Sequence, residues 1–91
     1  MTWRIRYSRE FYKELAQIPA NTRRQIEAFV FDPLLQENPL AFSKIEKLVG
    51  HDQYYKVRFG KYRLGLRIDK DQKILEFRRA RHRKDIYRKF D

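Results

Sequence analysis

The sequence predicts an α+β fold: a compact βααβββ domain in which a small, twisted, mainly antiparallel sheet carries an N-terminal helical hairpin on one face. Three observations predict it. Apolar residues recur at every second position near the N-terminus and again in three stretches of the C-terminal half, the period of half-buried strands. Between the first and second of these lie two segments whose apolar residues are three and four apart, the period of amphipathic helices. The chain has 91 residues, which is room for one hydrophobic core and not two, so residues 1–91 are read as a single domain.

The elements follow in order. In TWRIRY, Trp3, Ile5 and Tyr7 share one side and Thr2, Arg4 and Arg6 the other, so the first strand is half-buried. Ser8 offers a helix N-cap and Glu10 an acidic first turn. Phe11, Leu15 and Ile18 then mark a helix that runs to about Gln17 and stops before Pro19. TRRQ, Thr22 to Gln25, reads as a capping box, and Ile26, Phe29 and Val30 form the stripe of a second helix that Asp32–Pro33 interrupts. Leu34–Gln36 adds a last turn, and ENPLAFSKIEKLVGHDQ reads as a connection with Leu40, Phe42, Ile45 and Leu48 tacked onto the core. YYKVRF, YRLGLRI and KILEFRRAR are three strands, joined by tight turns at Gly60–Lys61 and Asp69–Gln72. After them comes a short helix or tail.

Composition narrows the class of function. The chain has no cysteine, which excludes disulfides and thiolate metal sites. Apolar runs are too short to span a membrane, and MTWRIRYSRE has no apolar core of a secretory signal, so a cytoplasmic address is expected. Net charge is +10 and unevenly placed: residues 1–55 carry +1 and residues 56–91 carry +9. The excess alternates with apolar residues at strand spacing, which fits a polyanion such as nucleic acid better than a membrane surface. Alternation puts Lys56, Arg58, Arg63 and Arg67 together on the sheet face opposite the apolar one, with Gly65 expected to leave its middle open. Like charges across neighbouring strands destabilise by roughly 0.2–1 kcal/mol per pair. A face of one sign therefore calls for an anion.

YYKVRFGKYRLGLRID and FRRARHRKDIYRKF resemble the RelE/ParE superfamily of toxins from type II toxin–antitoxin pairs, and WRIRYSREFYKELAQIP fits the opening strand and helix of that family. The resemblance implies one of two activities. RelE-type members are ribosome-dependent endoribonucleases that cut mRNA in the A site without a metal or other cofactor; ParE-type members inhibit DNA gyrase and are not enzymes. It further implies a small RelB-like antitoxin as partner, with an acidic toxin-binding segment. The RelE-type set, a basic group on the strands and a Tyr near the C-terminus, falls here on Lys56, Arg58, Arg63, Arg81 and Tyr87. Where the family often has Lys, this chain has Arg58, and Lys61 replaces the usual Gly before the Tyr-Arg pair. Some relatives carry a carboxylate just before the Leu of IEKL, where Glu46 stands.

The chemistry required of such a site suits these residue types. Cutting RNA without a metal needs the 2′-OH in line with the scissile phosphate, donors for the dianionic phosphorane, and a proton for the leaving 5′-oxygen. A guanidinium matches two phosphorane oxygens with two donors, which assigns Arg63 as the clamp. Tyr87 among Arg81, Arg83 and Arg88 is a candidate base, because nearby positive charge favours a phenolate. Lys56 is the alternative base, and Arg81 the stabiliser of the leaving group. Arg58, Lys61, Arg67, His82 and Arg83 are the expected RNA-binding cations. His51 and His82 invite a histidine acid–base pair, with His82 beside Arg81 the better placed. A plain RNA-binding module is a third reading, weakened because only Tyr54 among the aromatics shares the basic face.

Overall fold

A computed structural model of the chain describes residues 2–85. Tyr87, and with it Ile86 and Phe90 of the expected tail, lies outside the described residues. The elements are β1 (Arg4–Tyr7), α1 (Arg9–Leu15), α2 (Ala20–Val30), two 3-10 turns (Pro33–Gln36 and Pro39–Ala41), β2 (Glu46–Lys47), β3 (Tyr54–Phe59), β4 (Tyr62–Asp69) and β5 (Ile74–His82). The five strands form one sheet in the order β1-β5-β4-β3-β2, with β1 and β5 parallel and the other pairs antiparallel.

One face of that sheet makes the core. Tyr55, Val57 and Phe59 of β3, Leu64, Leu66 and Ile68 of β4, and Leu75, Phe77 and Ala80 of β5 are buried against Phe11 and Leu15 of α1 and Ile26, Phe29 and Val30 of α2. The expected helices are therefore present on the expected face. Ser8 caps α1, its Oγ accepting from the Phe11 N–H at 3.0 Å. Glu10 and Lys13 sit at the dipole ends that favour them.

Two local expectations need correcting. The capping box at Thr22 is not used: α2 begins two residues earlier, with Pro19 as a cap that makes no side-chain hydrogen bond, so Thr22 and Gln25 lie inside the helix. Proline's extended ψ of 144° sets the entry, and its lack of an N–H costs nothing at a helix start. The connection after α2 is also more ordered than expected. Asp32 and Asn38 cap the two 3-10 turns by accepting from Leu34 and Leu40 N–H at 2.9 and 3.1 Å. That geometry buries Leu35 and Pro39 and leaves Leu40 exposed, while Glu46–Lys47 adds an edge strand beside β3. The hairpin turn keeps Gly60 at φ 59° in its first position with Lys61 outside the positive region, the type II′ pattern, so Lys61 is no obstacle to a two-residue turn.

The feature that most affects where the basic side chains stand is a bulge in β5. Leu66 pairs with Phe77 but Gly65 pairs with Arg79, so Arg78 is the one extra residue that the register of β5 takes up here. Beyond it the faces exchange parity: Ala80 joins the core, and Arg79 and Arg81 turn to the face of Gly65 and Arg63. Ser8 holds the bulge from outside, its Oγ donating to the Arg78 carbonyl at 2.6 Å while its N–H donates to the Phe77 carbonyl at 2.9 Å. One hydroxyl thus caps a helix and satisfies the carbonyl of the bulge. Ser8→Ala should lower stability by roughly 1–2 kcal/mol, a cap plus a part-buried hydrogen bond, measured as the shift in urea midpoint.

Candidate functional site

The site follows from the register. Across β3, β4 and β5, Arg58 faces Arg63 and Arg63 faces Arg81, so three guanidinium side chains stand in one cross-strand row. Neighbouring strands are about 4.8 Å apart, so the row is as dense as a sheet permits. The next row is Lys56, Gly65 and Arg79. The third is Tyr54, Arg67 and Glu76, extended to Arg6 of β1. Lys56, Arg58, Arg63 and Arg81 are therefore brought together as the sequence implied. Arg67 shares the face but stands in the third row, with its Nε donating to Gln53 Oε1 at 3.1 Å. Gly65 does not leave an opening. It is buried, between Lys56 and Arg79 in the register.

Each arginine of the first row has an internal partner. Arg58 Nε lies 3.2 Å from Glu46 Oε1, an exposed pair at the sheet edge worth little to stability. This gives Glu46 a place beside the site, opposite Lys56 in register. Arg63 uses one nitrogen, Nη1, to donate to the carbonyls of Gly60 and Tyr62 at 2.6 and 2.9 Å. Among the described residues its Nε and Nη2, the fork that takes two oxygens of one anion, have no acceptor. Arg79 shows such a fork occupied: Nε lies 3.1 Å from Glu14 Oε1 and Nη2 lies 2.7 Å from Glu14 Oε2.

Sequence reasoning did not single out Glu14, whose carboxylate meets two arginines of this face. β1 stops pairing with β5 at Tyr7 opposite Phe77, and α1 then runs beside the exposed edge of β5. Phe11 and Leu15 anchor the helix in the core, and Glu14 reaches the edge. Its Oε1 accepts from the Ala80 N–H at 3.0 Å, and its carboxylate also receives Arg79 and the Nε of Arg81. Burial alone would raise the Glu14 pKa. The hydrogen bonds from Arg79, the Ala80 N–H and Arg81 outweigh that and hold it below its usual value. The same bond to Glu14 raises Arg79 further above its ordinary range, against the effect of its own burial.

β5 ends at His82, and there a cavity of about 320 Å³ opens between Glu14, Ile18, Tyr62, Arg81 and His82. Adjacent strand residues point to opposite faces, so Arg81 and His82 share a space only because the strand stops. His82 stands edge-on to Tyr62, ring centroids 5.6 Å apart, and its Nδ1 accepts from the Lys84 N–H at 3.2 Å. A neutral His82 would then carry its proton on Nε2. Arg83 is exposed and its N–H donates to the Lys61 carbonyl at 2.8 Å, which places both cations at the hairpin end of the row. His51 sits in an exposed loop beside Tyr54, next to the third row rather than the first. Among the described residues no cluster of three His, Cys, Asp or Glu could hold a metal ion, and no helix is long and apolar enough to cross a membrane.

Fold and overall sequence are similar to those of known proteins. The family described as the ParE toxin of the type II toxin-antitoxin system parDE matches residues 5–87. The chain is 34% identical over 86 residues to Toxin RelE3 of Methanocaldococcus jannaschii, covering 92% of this chain and 94% of that protein. The solved RelB–RelE antitoxin–toxin complex of Methanococcus jannaschii contains a chain that is 31% identical and superposes with a TM-score of 0.75, over 94% of this chain and 99% of that one. The RelBE2 complex of Mycobacterium tuberculosis matches at 24% identity and a TM-score of 0.70, over 91% and 100%, a likeness of fold. The chain belongs to the RelE/ParE superfamily and is a toxin of a type II toxin–antitoxin system.

Proposed function

We propose that the protein is a ribosome-dependent mRNA endoribonuclease. The observation that carries the reading is the row Arg58–Arg63–Arg81 with Lys56 beside it, a surface built to hold phosphate oxygens. Its 34% identity to a RelE-named toxin supports the same branch. In this reading the ribosome places the mRNA so that a 2′-OH lies in line with its own 3′-phosphate. The 2′-oxygen attacks phosphorus and its proton passes to Tyr87 or Lys56. Arg63, tethered by Nη1 to the turn, presents Nε and Nη2 to the phosphorane oxygens without having to reorganise. Arg81 stabilises the departing 5′-oxygen, which takes up a proton from water as the P–O bond breaks. The products are a 2′,3′-cyclic phosphate and a 5′-hydroxyl. The residues present supply charge and hydrogen bonds, so no metal is assigned a step. Arg58, Lys61, Arg67, His82 and Arg83 bind the strand on either side.

A cognate antitoxin, acidic where it meets the toxin, is the partner in this reading. Related chains are found in complexes with RelB, and the +9 of residues 56–91 offers the complementary charge. The family name that matches residues 5–87 favours a second reading, inhibition of DNA gyrase without catalysis. Expression in cells separates the two. The first expects protein synthesis to stop at once, with mRNA fragments on programmed ribosomes ending in 2′,3′-cyclic or 3′-phosphate. Arrest of DNA replication with translation intact would replace it by the second. Fragments with 3′-hydroxyl and 5′-phosphate ends would overturn the mechanism.

A further inference from the structure

We infer that Glu14 is a positioning residue for Arg81, the carboxylate that fixes where this guanidinium meets its substrate; the inference rests on the nuclease reading above. Capping the free edge of β5 needs one acceptor for the Ala80 N–H, and Oε1 provides it at 3.0 Å. The second oxygen does something else. Oε2 is shared by Arg79, through Nη2 at 2.7 Å, and by Arg81, through Nε. Two arginines that alternate along one strand are thus drawn to one carboxylate on a helix that Phe11 and Leu15 lock into the core. Arg79 is spent on this contact, with only 12% of its side chain exposed. Arg81 is held by Nε alone. Among the described residues its terminal amino groups have no acceptor, and it stands in register with Arg63. Glu14 therefore removes the rotamer freedom of Arg81 while leaving its outer donors for an anion, a division of labour that Arg79 makes rigid. The charged groups facing the carboxylate are Arg79 and Arg81 from β5; Glu10, one turn earlier on α1, acts on Arg79; His82 and Asp85 line the adjoining cavity.

Single-turnover cleavage on mRNA-programmed ribosomes, with wild type, Glu14→Gln, Arg81→Ala and the double variant, tests the inference. Glutamine keeps an acceptor for Ala80 but loses the charge that holds the guanidiniums. Glu14→Gln should lower the saturated rate by between about tenfold and a hundredfold, with the half-saturating concentration moving less than about twofold. In the Arg81→Ala background the same change should cost less than about twofold, because the two residues act as one unit. Glu14→Asp, which keeps the charge but shortens the reach, should fall between wild type and Glu14→Gln. An equal loss in both backgrounds, or a loss confined to half-saturation, would overturn the assignment. A second readout stands apart from cleavage. The Arg81 Nε–H resonance of ¹⁵N-labelled protein should be resolved and slow to exchange in wild type and averaged in Glu14→Gln. Wild type without ribosomal cleavage would end the nuclease reading alone. An Arg81 signal already averaged in wild type, or unchanged in Glu14→Gln, would end this one.

Discussion

Replacing Arg63 by alanine is expected to slow mRNA cleavage by about 10²–10³-fold while the protein stays folded. The magnitude is that of removing one preorganised donor from a developing oxyanion, about 2.7–4 kcal/mol. Arg63 earns it by position: central in the row, between Arg58 and Arg81, with Nη1 tied down at 2.6 and 2.9 Å and Nε and Nη2 without an acceptor among the described residues. The structural cost is small, because those carbonyls belong to a partly exposed turn that Gly60 shapes without help. About 1 kcal/mol is expected, some 4–8 °C in melting temperature for a domain of this size. Arg63→Lys separates charge from shape. It keeps the cation and loses the fork, so its rate should lie between wild type and alanine. Full activity in Arg63→Ala, or a loss explained by unfolding in circular dichroism, would remove Arg63 from the site.

What the sequence disclosed, and what it hid, divides at the bulge. Strict alternation in β3 and β4 made the buried set Tyr55, Val57, Phe59, Leu64, Leu66 and Ile68 readable, and with it the opposite set Lys56, Arg58 and Arg63. β5 obeys the same rule only as far as Phe77. Continued without a break, period two would carry Arg79 and Arg81 to the core side with Leu75 and Phe77. The clue lies in FRRAR, where the next apolar residue after Phe77 stands three positions on, at Ala80, instead of two. Glu14 was illegible for a different reason. Its neighbours Phe11 and Leu15 mark the buried stripe of α1, but nothing in a single helix tells which strand edge its flank will meet. That depends on β1 ending at Tyr7, opposite Phe77, which leaves the following N–H groups of β5 uncovered. The face of one sign called for something anionic, and Glu14 and Glu46, both outside the three C-terminal strands, supply two carboxylates.

The largest effect on stability is expected from Glu14→Ala, about 3 kcal/mol at neutral pH. Glu14 and Arg79 are mostly buried, with 15% and 12% of their side chains exposed. Removing the carboxylate leaves the Nε and Nη2 of Arg79, the Nε of Arg81 and the Ala80 N–H without their acceptor. Breaking a buried pair from one side costs about 3–5 kcal/mol, and the lower end applies because Arg81 is more exposed and the adjoining cavity opens to solvent. Against a total stability of about 5–15 kcal/mol this is a large share. Its pH dependence has a definite sign. The Glu14 pKa is held below its unfolded value of 4.5, so the carboxylate stabilises the fold fully above pH 4.5. That contribution is lost as pH falls through the lower, folded value. The gap in urea midpoint between wild type and Glu14→Ala should therefore be constant from pH 7 to about 5 and shrink below 4.5. A gap that stays constant down to pH 3 would mean that the carboxylate gains nothing from Arg79 and Arg81, and that Glu14 acts through packing alone.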